Sequence, residues 1–300
     1  MDWRKGRESD NVVEDDGSGG GGLGGGGMRF GGFHLGIGGI IVVVLIGLIF
    51  PGLRPILFSL FLGDGSNGVN SVQESTPAPT RPVASNDPQV HFVRSILGST
   101  EDVWGGYFQA SNQQYEQPKL VLFNGQTRSG CGAASEAMGP FYCPVDHRVY
   151  LDLDFFHEMD TRFHAQGDFA RAYVVAHEVG HHVQNLIGVM SQVDQARRRG
   201  QSMEGAGGLS VRLELQADCF AGVWGNKSQA QLNWLQAGDV DAALNAASSV
   251  GDDTLQKQSR GYAVPDSFTH GTSAQRSRWF KAGFASGDLK SCDTFSAPSL

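Results

Sequence analysis

The strongest chemical signal in the chain is the nonapeptide AHEVGHHVQ, in which His177, Glu178 and His181 form an H-E-x-x-H pattern. Positions i and i+4 of an α-helix lie one turn apart on one face, so both imidazoles can reach a single ion. Two imidazoles suit zinc, and a glutamate beside the first can hold the metal's water and take its proton. No proline interrupts the surrounding residues. Val175, Val179, Val183 and Leu186 form an apolar stripe roughly opposite the two histidines, as a half-buried helix requires. Gly180 sits beside the histidine face, where alanine would favour the helix by about 1 kcal/mol. Its missing side chain leaves room for another element to approach. His182 points about 100° away from His181, so it is expected to be exposed or supporting and not a ligand.

A catalytic zinc needs a third protein ligand and an open position. RLELQADCFAG supplies Glu214 and Asp218, again i and i+4 on a predicted helix whose apolar stripe is Leu213, Ala217, Phe220 and Trp224. Acids on the partly buried side of such a helix are costly unless paired or metal-bound. Glu214 is the expected third ligand. Asp218 is expected to accept a hydrogen bond from the distal ring nitrogen of His177 and orient it. Two alternatives stay open: swapped roles, with Asp218 on the metal, and a solvated acidic face with Arg212 as its neighbour.

Several segments carry a wider resemblance: MRFGG, GCGAASEAMGPFYCP, VYLDLDFF, HEVGHHVQ, LELQADCFAG and FTHGTSAQRSRWFKAGF. Between about Met28 and Asp288 the chain resembles the bacterial neutral zinc metallopeptidases, a membrane-anchored family of the broad zincin group. The resemblance implies a zincin-like fold, one Zn2+ per chain and a peptide or protein substrate. H-E-x-x-H with E-x-x-x-D is also similar to the gluzincin pattern, which puts Glu214 on zinc and Asp218 behind a histidine. Beyond the metal, peptide hydrolysis needs a donor for the oxyanion. His270 is the first candidate, since other gluzincins use a His or Tyr there. Arg276 and Tyr262 are further candidates. By analogy with zincins, the strand 148–153 is expected to be the edge on which a substrate lies by β-addition.

The elements that would position these residues are partly readable. Residues 88–98 alternate at helical spacing after Asp87, a plausible N-cap, and Thr100, Glu101 and Asp102 could start a second helix. KLVLF at 119–123 and RVYLDL at 148–153 read as strands. Helices are expected over 168–186, about 210–224, 239–248 and 273–285. Many helices and few strands predict a mostly helical α+β domain with a small sheet over residues 88–300.

The chain upstream differs. Glycine is 42 of 300 residues and is concentrated towards the amino terminus. Residues 1–30 therefore read as a disordered tail. Leu35 to Leu53 carry no charge and are long enough for one bilayer crossing, so 31–62 read as a transmembrane anchor region. No A-x-A-like cleavage site follows. Arg4, Lys5, Arg7 and Arg29 precede the run and Arg54 follows it, which predicts a cytoplasmic amino terminus and an extracytoplasmic domain. Residues 63–87 are rich in Gly, Ser, Asn and Pro and read as a tether.

Four cysteines allow three connectivities. Outside the cytoplasm, Cys131–Cys143 would close a loop, and Cys219–Cys292 would tie the second metal helix to the carboxy-terminal tail. A net charge of −8 without a basic run excludes a sequence-independent nucleic-acid binder. The expected activity is zinc-dependent peptide hydrolysis with Glu178 as general base. The rival is an anchored, zinc-containing binding, scaffold or chaperone-like module without activity, although a purely structural site has no use for Glu178.

Overall fold

The computed structural model describes residues 1–17, 76–83, 86–135 and 138–300. Its strands are β1 Val12–Asp15, β2 Thr80–Pro82, β3 Lys119–Phe123, β4 Gln126–Ser129, β5 Gly132–Ser135, β6 Phe141–Cys143 and β7 Arg148–Asp152. Its helices are α1 Pro88–Ala110, α2 Asp154–Thr161, α3 Asp168–Leu186, α4 Val189–Arg198, α5 Leu209–Leu232, α6 Asp239–Ser249, α7 Asp252–Arg260 and α8 Ser273–Ser286. This is an α+β architecture, as the element pattern led us to expect.

Five strands form a mixed sheet in the order β2-β1-β3-β7-β6, while β4 and β5 form a separate hairpin. The β1–β3 and β3–β7 pairs are parallel, and both edges are antiparallel. Strands β3 and β7 are buried along almost their whole length, as parallel strands covered on both faces must be. Asp87 caps α1 by accepting from the Gln89 N–H at 2.8 Å.

Helices α3, α5 and α8 pack with their backbones close together. A Cβ at Gly180 would lie 3.1 Å from the Ala217 carbonyl oxygen, so the glycine of the histidine motif is where α5 approaches α3. At Gly283 a Cβ would fall 1.9 Å from the Cys219 carbonyl oxygen, which no side chain allows. Around this contact lie Tyr173, Phe169, Phe220, Trp224 and Phe280, all buried. Phe169 stacks on Trp224 at 5.8 Å between centroids, which holds α3 against α5.

The structure corrects the sequence reading in four places. The expected disordered tail over 1–30 does not hold for residues 1–17. Val12 is buried in β1, and β1 lies inside the sheet between β2 and β3. Trp3 meets Phe92 edge-on at 5.9 Å. The buried Glu101 carboxylate receives Arg7 Nη2 at 2.6 Å, Ser9 Oγ at 2.6 Å and Asn11 Nδ2 at 2.7 Å. Those contacts also explain the second correction. Glu101 sits inside one continuous α1 and does not start a new helix, because its charge is satisfied by the amino-terminal segment. Third, the end of the expected tether contains β2, with Pro82 on an edge strand where a missing N–H is tolerated. Fourth, β7 is interior, so the sheet edge on that side is β6.

The apolar run 35–53 lies outside the described residues, as do 18–30 and most of the tether. Among the described residues, no helix is long and apolar enough to cross a membrane.

A chain beginning at Pro88 would lack β1 and β2 and would leave Glu101 buried without partners. Stranding a buried charge costs about 3–5 kcal/mol, which lowers Tm by roughly 10 °C or more for a domain of this size. Thermal unfolding of that fragment beside the full chain checks this, and equal stability would contradict it.

Candidate metal centre

His177 and His181 project from one face of α3, and Glu214 faces them from α5. His177 Nε2 lies 3.2 Å from Glu214 Oε2, and His181 Nε2 lies 3.5 Å from Glu214 Oε1. The three donor atoms all fall within 4.8 Å of one another. A tetrahedral zinc with bonds near 2.0–2.1 Å separates its ligand atoms by roughly 3.4 Å, so the donor set fits the ion in both chemistry and spacing. All three side chains are buried or nearly so, and Glu178 is buried beside them.

Each histidine is oriented by an acceptor at its other nitrogen. His177 Nδ1 meets Asp218 Oδ1 at 2.9 Å, the pairing expected from the sequence. His181 Nδ1 meets Gln184 Oε1 at 2.8 Å. Gln184 in turn donates to the Leu213 carbonyl and to Gln216 Oε1 on α5. It was not singled out from the sequence, although its position three residues after His181 put it on the same face. Both Nε2 atoms are thereby turned towards Glu214.

Asp218 is fully buried and heavily coordinated. Its Oδ1 also accepts from Tyr173 Oη at 2.5 Å and Arg276 Nη2 at 2.9 Å, and its Oδ2 accepts from Arg276 Nε at 2.8 Å. Burial alone would raise its pKa, but Arg276 and His177 override that and bring it down to about 2. Burial would lower His177, yet the Asp218 carboxylate and Glu214 raise it to about 10. Glu214 is held well below the usual carboxylate range, the histidines outweighing its burial. Burial pushes Glu178 up, against the pull of His177 and His181.

The three oxyanion candidates have different fates. Arg276 is buried and committed to Asp218, which removes it as a donor to substrate. Tyr262 is exposed and lies under Arg260. His270 is half exposed and close enough to Glu214 for their charges to act on each other. It is held by Asp252, a residue the sequence reading did not single out. Asp252 Oδ2 accepts the N–H groups of Thr269, His270 and Gly271 at 2.7, 2.6 and 3.0 Å. Its Oδ1 lies 3.4 Å from His270 Nδ1.

Two neighbours are resolved as well. Arg212 turns away from the acids and donates to carboxy-terminal carbonyls, including those of Thr294 and Ala297. His182 is not exposed. It is fully buried between Tyr142 Oη at 3.1 Å and the Glu116 carbonyl at 2.7 Å. Both expected disulfides are present, Cys131–Cys143 and Cys219–Cys292. The second ties α5 to the carboxy-terminal turn.

An H-E-x-x-H helix and an E-x-x-x-D helix thus converge in an α+β domain on a two-histidine, one-glutamate centre able to hold a metal. The chain belongs to the family described as Putative neutral zinc metallopeptidase, which it matches over residues 1–295. It is 48% identical over 299 residues to Uncharacterized protein YpfJ of Escherichia coli (strain K12), covering 98% of this chain and 99% of that one. It is also 48% identical over 196 residues to Uncharacterized protein Rv2575 of Mycobacterium tuberculosis (strain ATCC 25618 / H37Rv), covering 62% of this chain and 65% of that one. No solved structure matches.

Two outcomes follow from these contacts. Arg276→Met leaves Asp218 buried without its cation and is expected to cost about 3–5 kcal/mol in urea unfolding. Arg276→Lys should recover only part of this, since an ammonium cannot make both bonds of the fork. His182 has its pKa lowered by burial to about 4. Above about pH 6.5 the site is neutral in both folded and unfolded chains. As pH falls from there towards 4, the unfolded chain takes a proton the native state refuses. Stability of the metal-free protein should therefore drop across that window, by up to about 3 kcal/mol from this site, and His182→Gln should remove that component.

Proposed function

We propose that this protein is a zinc-dependent metallopeptidase, attached to a membrane by the apolar run 35–53 with its domain on the extracytoplasmic side. The observation that carries the reading is the convergence of both Nε2 atoms on Glu214, with each Nδ1 held from behind. His177, His181 and Glu214 would hold the zinc. When bound, zinc polarises the scissile carbonyl and acidifies a water at neutral pH. Among the described residues this cluster offers three ligands, which is the number that leaves a catalytic position open.

Glu178 takes the proton of the attacking water on a carboxylate oxygen and passes it to the leaving amine. Its burial raises its proton affinity, which suits a base that must next act as an acid. Asp218 and Gln184 keep the two imidazoles aimed. His270 supplies a hydrogen bond to the developing oxyanion, and Asp252 fixes both its backbone and its Nδ1, leaving Nε2 on the opposite side of the ring. The peptide would lie along β6, the edge strand beside β7, which touches α3 through Tyr142 and His182. The two disulfides support an oxidising compartment.

Hydrolysis of casein by the full-length, zinc-loaded protein tests this. Cleavage is expected to stop with a chelator and to resume on adding zinc. Glu178→Gln should lose about 100- to 10,000-fold in rate while keeping one zinc per chain. A non-catalytic zinc module would instead give no products from the wild type, with peptide binding unchanged by Glu178→Gln.

A further inference from the structure

Strand β1 lies within the sheet that also carries β7 and β6, and it precedes the apolar run in sequence. Val12, Val13 and Glu14 pair in parallel with Leu120, Val121 and Leu122 of β3. On its other side β1 pairs antiparallel with β2, which follows the apolar run, in the register Val13–Pro82, Glu14–Arg81 and Asp15–Thr80. The Asp16 N–H donates to the Pro79 carbonyl at 3.1 Å, so the ladder continues to where the described chain breaks off. Strands β1 and β2 are thus antiparallel neighbours, and residues 18–75 lie between them in sequence.

Strands paired in one sheet cannot lie on opposite sides of a bilayer. We infer that residues 1–17 and the metal centre occupy the same side of the membrane, so the apolar run does not carry the amino-terminal segment across it. This rests on the proposal above only for the run's contact with the membrane.

The contacts that would be lost otherwise are extensive. Without β1, strand β2 has no partner and β3 exposes an edge. Val12 leaves the core, and Glu101 keeps its buried carboxylate while losing Arg7, Ser9 and Asn11. A buried carboxylate without donors is among the costliest defects a fold can carry.

The same contacts undo the charge argument for a cytoplasmic amino terminus. Lys5 Nζ donates to the Asn233 carbonyl at 2.7 Å, Arg7 is bound to Glu101 and Asp102, and Arg4 stacks over Trp3. These cations belong to the folded domain and do not flank the apolar run as a loop would. Of Arg4, Lys5, Arg7, Arg29 and Arg54, Arg29 before the run and Arg54 after it remain, one on each side, with no bias left to orient a span.

The test places one added cysteine on each side of the apolar run in the full-length chain, expressed in bacterial cells converted to spheroplasts. Asp10→Cys and Gln258→Cys both sit at exposed positions, and the parent chain, whose cysteines are paired, sets the background. A membrane-impermeant maleimide is applied before and after permeabilisation. The two variants are expected to react alike. Labelling of both in intact spheroplasts supports the inference and the extracytoplasmic location together. Labelling of both only after permeabilisation supports the inference and overturns that location. Labelling of one before and the other only after overturns the inference. Recovery of the chain in the soluble fraction overturns the membrane attachment and the inference with it.

Discussion

The Asp218 carboxylate is the interaction on which the rest of the centre depends. It is fully buried on α5, and donors from two other helices converge on it: Tyr173 and His177 of α3 and Arg276 of α8. A carboxylate in that position is tolerable only because its oxygens are satisfied by a bidentate guanidinium and two further donors. In return it fixes which nitrogen of His177 faces Glu214. The glycines at the helix crossings serve the same end, since only residues without a Cβ let α3, α5 and α8 approach closely enough for these bonds to form.

Around that centre the domain has two supports of different kinds. The disulfide Cys219–Cys292 and the carbonyls that receive Arg212 secure the start and middle of α5 against the carboxy-terminal turn. The buried Glu101 does the equivalent for the amino terminus, gathering Arg7, Ser9 and Asn11 onto α1. The amino-terminal segment is therefore part of the body that holds the metal site, despite being separated from it in sequence by a long glycine-rich and apolar stretch. This changes how the domain should be delimited: it begins at the first residues and resumes before α1.

The helical half of the molecule was legible because its signals are local. An i, i+4 pair of histidines and an i, i+4 pair of acids, each above an apolar stripe, report the same periodicity that builds the helix. The boundaries of α3 and the roles open to His177, Glu178, His181, Glu214 and Asp218 follow from that periodicity. Residue type alone suggested Arg276 as a donor to substrate, and the structure disagrees for a reason that residue type cannot carry. Arg276 faces a buried acid. Gln184 and Asp252 passed unnoticed because a neutral amide and a lone aspartate acquire a role only through the atoms placed opposite them.

Chemistry and local structure were thus determined by the sequence itself: a helix presenting H-E-x-x-H, a second presenting E-x-x-x-D, and cysteines suited to two closures. Tertiary structure decided what depends on partners distant in the chain. It paired a four-residue strand with residues more than a hundred positions away, placed β7 inside the sheet and β6 at its edge, and brought Arg276 to Asp218. Short strands carry too few residues to establish a periodicity, and their hydrogen bonds are made to backbone that bears no sequence signature. A helix contains its own bonding partners, whereas a strand waits for the fold to supply them.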